Sequence, residues 1–200
     1  MIKLLTDLES HLSKIEAPVL QYFRPPIESE KILIDFVQEN YSGDYRISNE
    51  LISIYLWHNG TNIDEDEIEK SYFAHWLTLN DLDTVRNIIS NDNFYNFIPN
   101  KLFPFCSSLN GEFLAIDFMH NTQKLIYCST WDMEIESQVS MFDSPRRFLE
   151  TINQFYEKDI YVISEGLIKL DTNRYQEYLE IGEKYNPESE YWKVKKEWQQ

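Results

Sequence analysis

The stretch LFPFCSSLNGEFLAIDFMHNTQKLIYCS, residues 102–129, decides the fold, and Asn110-Gly111 marks its first bend. Asn-Gly between two apolar runs predicts a two-residue type I′ hairpin loop, because that turn needs positive φ at both central positions. A loop of this length pairs Ser108 with Phe113 and fixes the pairing along both strands. We therefore predict that two antiparallel strands meet at this bend.

A second bend at residues 120–123 is predicted to pair Ile116 with Tyr127, so that three strands form an antiparallel meander. Side chains alternate between the two faces of a strand, which collects the large apolar residues on one side. The predicted core-facing residues are Phe103, Phe105, Leu114, Ile116, Phe118, Leu125 and Tyr127. The opposite side, which we expect to be only partly covered, carries Pro104, Cys106, Phe113, Ala115, Asp117, Ile126 and Cys128.

Helices are predicted ahead of the meander, where apolar residues recur at every third or fourth position. The first covers residues 3–15, the second begins at Ser29, and the third runs from Ser48 to a stop at Asn59-Gly60. Serine is a favourable first residue of a helix, and glycine a favourable last one. The N-terminal third of the chain is therefore expected to be helical.

The segment that links these helices to the meander is predicted to contain a strand and one more helix. Residues 72–77 have the composition of a strand. Thr78-Leu79-Asn80-Asp81 matches a capping box with Asp in place of Glu, which predicts Thr78 as the helix cap. We expect the helix to follow directly.

Beyond the meander, polar and apolar side chains alternate over residues 131–142. This pattern predicts a further strand with one solvent-exposed face, which carries Asp132, Glu134 and Glu136. Ser144-Pro145 then combines a cap residue with proline at the first helical position, which predicts a helix start.

The last part of the chain is predicted to hold a short strand at residues 161–163 and a helix over about residues 172–185. The expected fold class is α+β, with a mainly antiparallel twisted sheet built on the meander. The N-terminal helices and the helix after the meander pack on this sheet. We expect residues 1–160 to form this domain and residues 161–200 to form a C-terminal helical extension packed on it.

The charge of the chain limits its partners. Its 18 basic and 34 acidic residues give a net charge of −16, which repels phosphate backbones and anionic lipid headgroups. Nucleic acid and membrane surfaces are therefore not expected as partners. A basic protein is favoured, because complementary charge steers association. The alternative is that the acidic residues serve only to keep the protein soluble.

The cysteines and the hydropathy of the chain predict the cellular compartment of the protein. Cys106 and Cys128 are predicted two strands apart, too far for a disulfide, so we expect free thiols in a reducing environment. Residues 1–12 contain Asp7 and Glu9, which interrupt any signal-peptide apolar stretch, and no segment approaches the length of a membrane span. These features predict a cytoplasmic protein.

Candidate chemical groups are few. His58 could act as a nucleophile or metal ligand, but a histidine at a helix end more often complements the helix dipole. Asp117 and His120 could form an acid–base pair, although no further residue completes a triad or dyad. Neither a calcium loop, nor zinc-ligand spacing, nor a glycine-rich phosphate loop is present. We predict no catalytic residue, no metal and no cofactor.

The candidate binding residues are acidic. Five of the six residues 64–69 are acidic, and the wet face of the last predicted strand adds three more. Such groups are either a solvated surface or the counterpart of lysine and arginine on a partner. The predicted partner-binding residues are Asp64, Glu65, Asp66, Glu67, Glu69, Asp132, Glu134 and Glu136.

The order of motifs resembles SUKH superfamily (Smi/Knr-like) domains over roughly residues 27–156. Four segments carry the resemblance: Pro25-Pro26 before a helix, YLWHNG at residues 55–60, PF and NGEFLAID at residues 104–105 and 110–117, and SPRRFL at residues 144–149. A tryptophan precedes the capping box, as in these domains. The motif residues are Trp57, Asn59, Gly60, Trp76, Asn110, Gly111, Asp117, Pro145 and Phe148.

The resemblance implies an α+β fold, no catalysis and a role in binding another protein. The superfamily includes many bacterial immunity proteins and a yeast cell-wall synthesis regulator. The resemblance therefore implies an immunity protein that neutralises a cognate toxin of a polymorphic or contact-dependent system, with a basic toxin such as a nuclease as partner. The alternatives are a regulatory scaffold of the cell-wall-regulator type and, third, a hydrolase that uses Asp117 and His120.

Overall fold

A computed structural model describes residues 1–41, 43, 45–62, 68–91, 102–118, 123–129 and 138–197. The described helices are α1 (Ile2–Lys14), α2 (Glu30–Asn40), α3 (Asn49–Tyr55), α4 (Leu82–Ser90), α5 (Pro145–Glu157), α6 (Tyr175–Tyr185) and α7 (Glu190–Glu197). The described strands are β1 (Thr78–Leu79), β2 (Leu102–Ser107), β3 (Phe113–Asp117), β4 (Leu125–Cys128), β5 (Gln138–Phe142), β6 (Tyr161–Ser164) and β7 (Leu167–Leu170).

The predicted meander is the centre of the structure. Strands β1 to β5 form a five-stranded sheet in chain order, and every neighbouring pair is antiparallel. Strands β6 and β7 form a separate two-stranded sheet. The α+β class and the antiparallel meander are thus confirmed. Within the described part of the chain, every helix is too short or too polar to traverse a bilayer.

The first hairpin turns through a wider loop than the predicted type I′ turn. The last paired residues are Ser107 and Phe113, and the N–H of Ser108 donates to the carbonyl of Glu112 (2.9 Å). Only Gly111 has positive φ (74°), which fits a type I turn followed by a left-handed glycine. Next to the loop, the predicted pairing is therefore wrong by one residue.

The side chain of Ser108 explains the wider loop. Its hydroxyl accepts the N–H groups of Asn110 (3.2 Å) and Glu112 (3.3 Å), and it also lies 3.1 Å from a carboxylate oxygen of Glu112. A two-residue loop would pair Ser108 with Phe113 and break these bonds. Local side-chain hydrogen bonds thus stabilise the longer turn.

A bulge in β2 corrects the predicted position of Cys106. Pro104 lies opposite Ala115 and Cys106 opposite Leu114, so Phe105 has no partner in the ladder. Phe105 and Cys106 therefore both belong to the main core. Cys106 was predicted on the other face, which is wrong, and both cysteines are free thiols.

The second hairpin pairs Ile116 with Leu125, two residues away from the predicted pairing. A shift of two keeps every side chain on its predicted face, because the strand period is two. Gln123, buried and with positive φ (51°), bridges this hairpin to the segment before α3. Its amide donates to the carbonyl of Arg46 (2.6 Å) and accepts the N–H of Ser48 (3.1 Å).

Two layers of apolar residues cover the sheet. All seven predicted core-facing residues of the meander lie in the main core, together with the apolar faces of α1 to α5. A smaller cluster on the opposite face contains Leu102, Phe113, Ala115 and Cys128, and Ile88 of α4 packs against it. This face is partly covered, as predicted.

The segment between α3 and α4 differs from its prediction. Residues 72–77 form no strand and contain only a bridge between Ala74 and Leu77, while Thr78–Leu79 forms β1. The cap of α4 is Asp81, whose carboxylate accepts the N–H of Thr84 (2.7 Å). The predicted cap at Thr78 is wrong, because the Thr78 hydroxyl instead bonds the buried hydroxyl of Thr61.

The tail after α5 packs on α5 and β5. Trp192 is fully buried, its indole N–H donates to the carbonyl of Met141 (2.6 Å), and its ring contacts Phe142 and Phe155. The hydroxyl of Ser189 donates to the carbonyl of Ser140 (2.7 Å). The tail thus covers carbonyl groups along β5. The β6–β7 hairpin at its start was not predicted beyond the single strand near Tyr161.

Candidate functional site

The segment Trp57 to Gly60 forms a corner that joins three parts of the chain. The ring of His58 stacks on Phe23 (4.4 Å between centroids), and its Nδ1–H donates to the carbonyl of Arg24 (3.0 Å). The indole N–H of Trp57 donates to Glu9 of α1 (3.3 Å). Burial lowers the pKa of His58 from its ordinary value of 6.5. His58 is thus a packed structural residue.

Gly60 is required at this corner by both its backbone and its surroundings. Its φ is +78°, and a Cβ atom there would lie 2.2 Å from the backbone nitrogen of Asp81. The neighbouring Asn59 accepts the N–H of Leu82 through its side chain (3.4 Å). Asp81 also lies 3.0 Å from the Nε of Arg24, without the alignment of a hydrogen bond. The motif therefore holds the start of α4.

Asn80 is a second buried anchor beside this corner. Its side chain donates to the carbonyl of Pro104 (2.9 Å) and accepts the hydroxyl of Ser107 (2.6 Å). Its backbone N–H donates to the carbonyl of Phe105 (3.0 Å), and its carbonyl accepts the hydroxyl of Tyr55 (2.9 Å). These bonds fix the bulge in β2.

A groove of about 380 Å³ opens beside the tip of the first hairpin. We call it the hairpin groove. It is lined by Glu69, Tyr72, His75 and Trp76 from one segment, by residues 108–110 of the hairpin tip, and by Glu165 and residues 167–169 of the β6–β7 hairpin. Three segments far apart in sequence thus converge on one concave surface.

Hydrogen bonds and ring contacts hold the walls of the hairpin groove. The Tyr72 hydroxyl accepts the N–H of Leu109 (3.1 Å), which ties the hairpin tip to the opposite wall. The ring of Trp76 meets that of Tyr127 edge-on at 5.6 Å. Tyr127 in turn donates to Glu112 (2.6 Å). The groove is therefore formed before any partner arrives.

The charges around the hairpin groove are mainly negative. Glu69 is exposed, and Glu165 forms an ion pair with Lys169. Burial raises the pKa of Tyr72; the N–H of Leu109 opposes this rise, while the carboxylates of Glu69 and Glu112 add to it. The groove therefore combines an apolar floor with acidic edges.

His75 lies in the wall of the hairpin groove as a neutral ring. Burial lowers its pKa from 6.5, and its Nδ1 has no hydrogen-bond partner among the described residues. Its ring lies 6.4 Å from that of Tyr161. A positively charged imidazole is disfavoured here because it would lose its hydration.

A second cleft of about 520 Å³ lies between α3, α5 and the tail, and is lined by Ser48, Glu50, Asp143, Ser144, Arg147, Pro187 and Glu188. Three of its charged lining residues, Glu50, Arg147 and Glu188, form ion pairs with residues outside the lining, whereas one carboxylate oxygen of Asp143 is buried without a hydrogen-bond partner among the described residues. Glu50 accepts the backbone N–H (3.2 Å) and the Nε–H (3.1 Å) of Arg146, and Glu188 pairs with Lys124 (3.1 Å). Burial raises the pKa of Asp143. This cleft links elements of the fold.

The described residues bring together no catalytic constellation. Asp117 is half-buried at the end of β3, and its predicted partner His120 lies outside the described residues. Burial raises the pKa of the Cys106 thiol and raises that of Cys128 to about 12, so both thiols are protonated. No group of three His, Cys, Asp or Glu within the described ranges is placed to hold a metal.

Of the predicted binding residues, only Glu69 is described, and it lines the hairpin groove. Asp64, Glu65, Asp66 and Glu67 lie outside the described residues, as do Asp132, Glu134 and Glu136. Two motif residues, Trp76 and Asn110, also line the groove. Sequence reasoning missed Tyr72, Leu109 and Leu167. The turn dipeptide Glu165-Gly166 could have predicted the β6–β7 hairpin, which supplies the third lining segment of the groove.

The remaining motif residues have structural positions. Pro145 is the first residue of α5, and the Ser144 hydroxyl accepts the N–H of Arg147 (3.2 Å), as a capped helix start requires. Phe148 is fully buried, and its ring meets those of Phe105 and Phe142 edge-on.

Comparison with protein families places the chain in one of them. The SMI1 / KNR4 family (SUKH-1) profile matches residues 31–158, which is more than half of the chain. This range runs from α2 to the end of α5 and contains the WHNG corner and the whole five-stranded sheet. A search of curated proteins finds no match. The chain belongs to the SMI1 / KNR4 family (SUKH-1).

Proposed function

We propose that this protein is a non-catalytic binding domain of the immunity type, which neutralises a cognate bacterial toxin by forming a stoichiometric complex. Membership of the SMI1 / KNR4 family carries the proposal, because this family consists generally of immunity and regulatory domains without catalysis. The buried thiols and the ion pairs that Glu50 and Glu188 of the second cleft form with neighbouring residues are consistent with it.

The charge of the chain supports a basic toxin as the partner. A net charge of −16 attracts a cationic surface and accelerates its encounter. A nuclease is the toxin class that fits, since an enzyme acting on a polyanion carries lysine and arginine at its active site. The acidic residues of the chain would then occupy the place of phosphate groups. The encounter would take place in the cytoplasm.

The test uses the full chain and the toxin domain encoded by the neighbouring gene. We expect the two to co-elute as a 1:1 complex at low salt, with weaker association at high salt, and growth to be restored when both are expressed together. No association at micromolar concentration, together with no rescue, contradicts the proposal.

A regulatory scaffold is the second candidate, because the family takes its name from SMI1 / KNR4. It predicts that affinity capture returns housekeeping proteins of the host cell and that no toxin gene adjoins this one. Rescue of growth from a neighbouring toxin would decide for the immunity function instead.

A further inference from the structure

We infer that the hairpin groove takes up an apolar side chain that is flanked by lysine or arginine on the partner protein. This inference rests on the proposed function and names the surface and the chemistry of the contact. The groove combines an apolar lining with acidic residues, and contacts within the chain hold Tyr72, Leu109 and Trp76 in place.

Shape is the first argument. Leu109 stands at the hairpin tip with 54% of its surface exposed, although its backbone N–H is tied to Tyr72. An apolar side chain held open to water on a fixed turn gains stabilisation when a partner covers it. Trp76 supplies a large ring on the floor, and aromatic residues in preformed pockets contribute most to binding. The volume suits one large side chain and part of its neighbours.

Charge is the second argument. Glu69 and Glu165 line the groove, whereas Lys169 is the only basic residue lining it among those described, and it is paired with Glu165. Cations also bind over the faces of tryptophan and tyrosine rings, and the groove offers Trp76 and Tyr72. Lysine or arginine beside the inserted side chain therefore fits.

A second copy of the chain is a poor occupant of the groove. Two copies, each with a net charge of −16, repel one another, and the acidic edges of both grooves would meet or lie close. An anionic partner is disfavoured for the same reason. The partner surface is thus cationic and carries an exposed apolar residue.

The experiment titrates isotope-labelled full chain with short capped peptides and follows amide chemical shifts. The probes are Lys-Leu-Phe-Lys, Glu-Leu-Phe-Glu and Lys-Ser-Ser-Lys, each up to about 10 mM, because single-site contacts of this size bind in the millimolar range. We expect Lys-Leu-Phe-Lys to shift the amides of the groove walls in a saturable way. The other two peptides should bind at least about fivefold more weakly.

Two pairs of variants locate the contact. Leu109→Ser should weaken binding of Lys-Leu-Phe-Lys about tenfold, and Glu69→Gln about threefold at low salt. Ile32→Ser and Glu39→Gln make the same chemical changes on exposed positions of α2 and should leave the affinity unchanged. The dispersion of the amide spectrum shows whether each variant is folded.

Three results overturn the inference: no saturable shift, shifts scattered over the surface that Lys-Ser-Ser-Lys reproduces, or equal effects of groove and control variants. A dimer that forms through the groove in the absence of peptide also overturns it. The proposed function fails separately, through absent binding and rescue by the toxin. If the wild-type chain and Leu109→Ser bind the toxin equally, the proposed function is retained, but the hairpin groove is not the contact surface.

Discussion

Two acidic residues end helices in a backbone conformation that favours glycine. Glu16 after α1 and Asp159 after α5 have φ values of 52° and 51°. At the second site the N–H of Ile160 donates to the carbonyl of Phe155 (2.8 Å), the pattern of a Schellman motif. A left-handed L-residue is strained, and a carboxylate beside the negative end of a helix is repelled. These positions therefore retain avoidable strain.

Replacing Glu16 by glycine should raise the free energy of unfolding by about 0.5–1 kcal/mol. Glycine removes the steric cost of positive φ, partly offset by the greater freedom of the unfolded chain. Urea denaturation measures the change. Glu16→Ala removes only the charge and serves as the control. If alanine stabilises as much as glycine, the backbone argument is wrong and charge alone acts.

Two glycines with similar φ values should respond differently to alanine. At Gly60 (φ 78°) a Cβ atom meets the backbone of Asp81 at 2.2 Å, whereas at Gly111 (φ 74°) nothing lies within 4 Å. Gly111→Ala should cost about 1 kcal/mol of unfolding free energy from strain alone, and Gly60→Ala about 3 kcal/mol or more. Urea midpoints of both variants give the comparison. Equal losses would show that the close approach at Asp81 relaxes without cost.

At the scale of elements, a fully buried hydrogen bond from Trp192 contributes to the junction between the tail and β5. Trp192→Phe leaves the carbonyl of Met141 without its partner and should lower the unfolding free energy by about 1–3 kcal/mol. Trp57→Phe is the matched control, since its indole bonds a surface carboxylate and its loss should cost under about 0.5 kcal/mol. Denaturation and exchange of the β5 amides measure both. Unchanged protection of β5 in the first variant contradicts the coupling.

The sequence allowed the order of the meander to be predicted, because alternation of apolar residues survives any even shift in pairing. It did not allow the pairing itself to be predicted. The loop at Asn110-Gly111 is widened by bonds from the Ser108 hydroxyl, and the bulge at Phe105 is held by Asn80, a tertiary contact. The type I′ geometry occurs instead at Glu165-Gly166, where both residues have positive φ.

The candidate site was less predictable than the fold. Acidity alone directed attention to runs of carboxylates, of which Glu69 is the described member at the groove. Tyr72, Leu109 and Leu167 come together only because three segments converge in space. No periodicity within any one segment carries that information. The start of α5 at Ser144-Pro145, by contrast, followed from local chemistry and is confirmed.

At the scale of the whole molecule, the pH dependence of stability should reflect two neutral histidines. Burial lowers the pKa of His58 and of His75 from 6.5. Above about pH 7 both are neutral in the folded and unfolded chain, so stability is unaffected. As the pH falls below 6.5 the unfolded chain binds protons first, and stability declines by at most about 1.4 kcal/mol per pH unit and histidine.

Urea midpoints between pH 7.5 and 5 measure this decline, and His75→Gln should reduce its slope. Asp143 has the opposite effect on the free energy of unfolding. Burial raises its pKa, so the folded chain takes up this proton before the unfolded chain does, and stability rises as the pH falls. A slope that His75→Gln leaves intact would assign the decline to His58 or to other groups.

The two thiols lie on opposite sides of one sheet, so each can report the transient opening of the layer that covers it. Cys106 lies in the main core and Cys128 in the small cluster beneath α4, and both are nearly inaccessible and protonated. An alkylating reagent reaches either sulfur only when the layer above it parts. Mass spectrometry of the wild-type chain, sampled over time, therefore measures the alkylation rate of each cysteine. The two rates report the opening of the two layers separately, without an engineered probe.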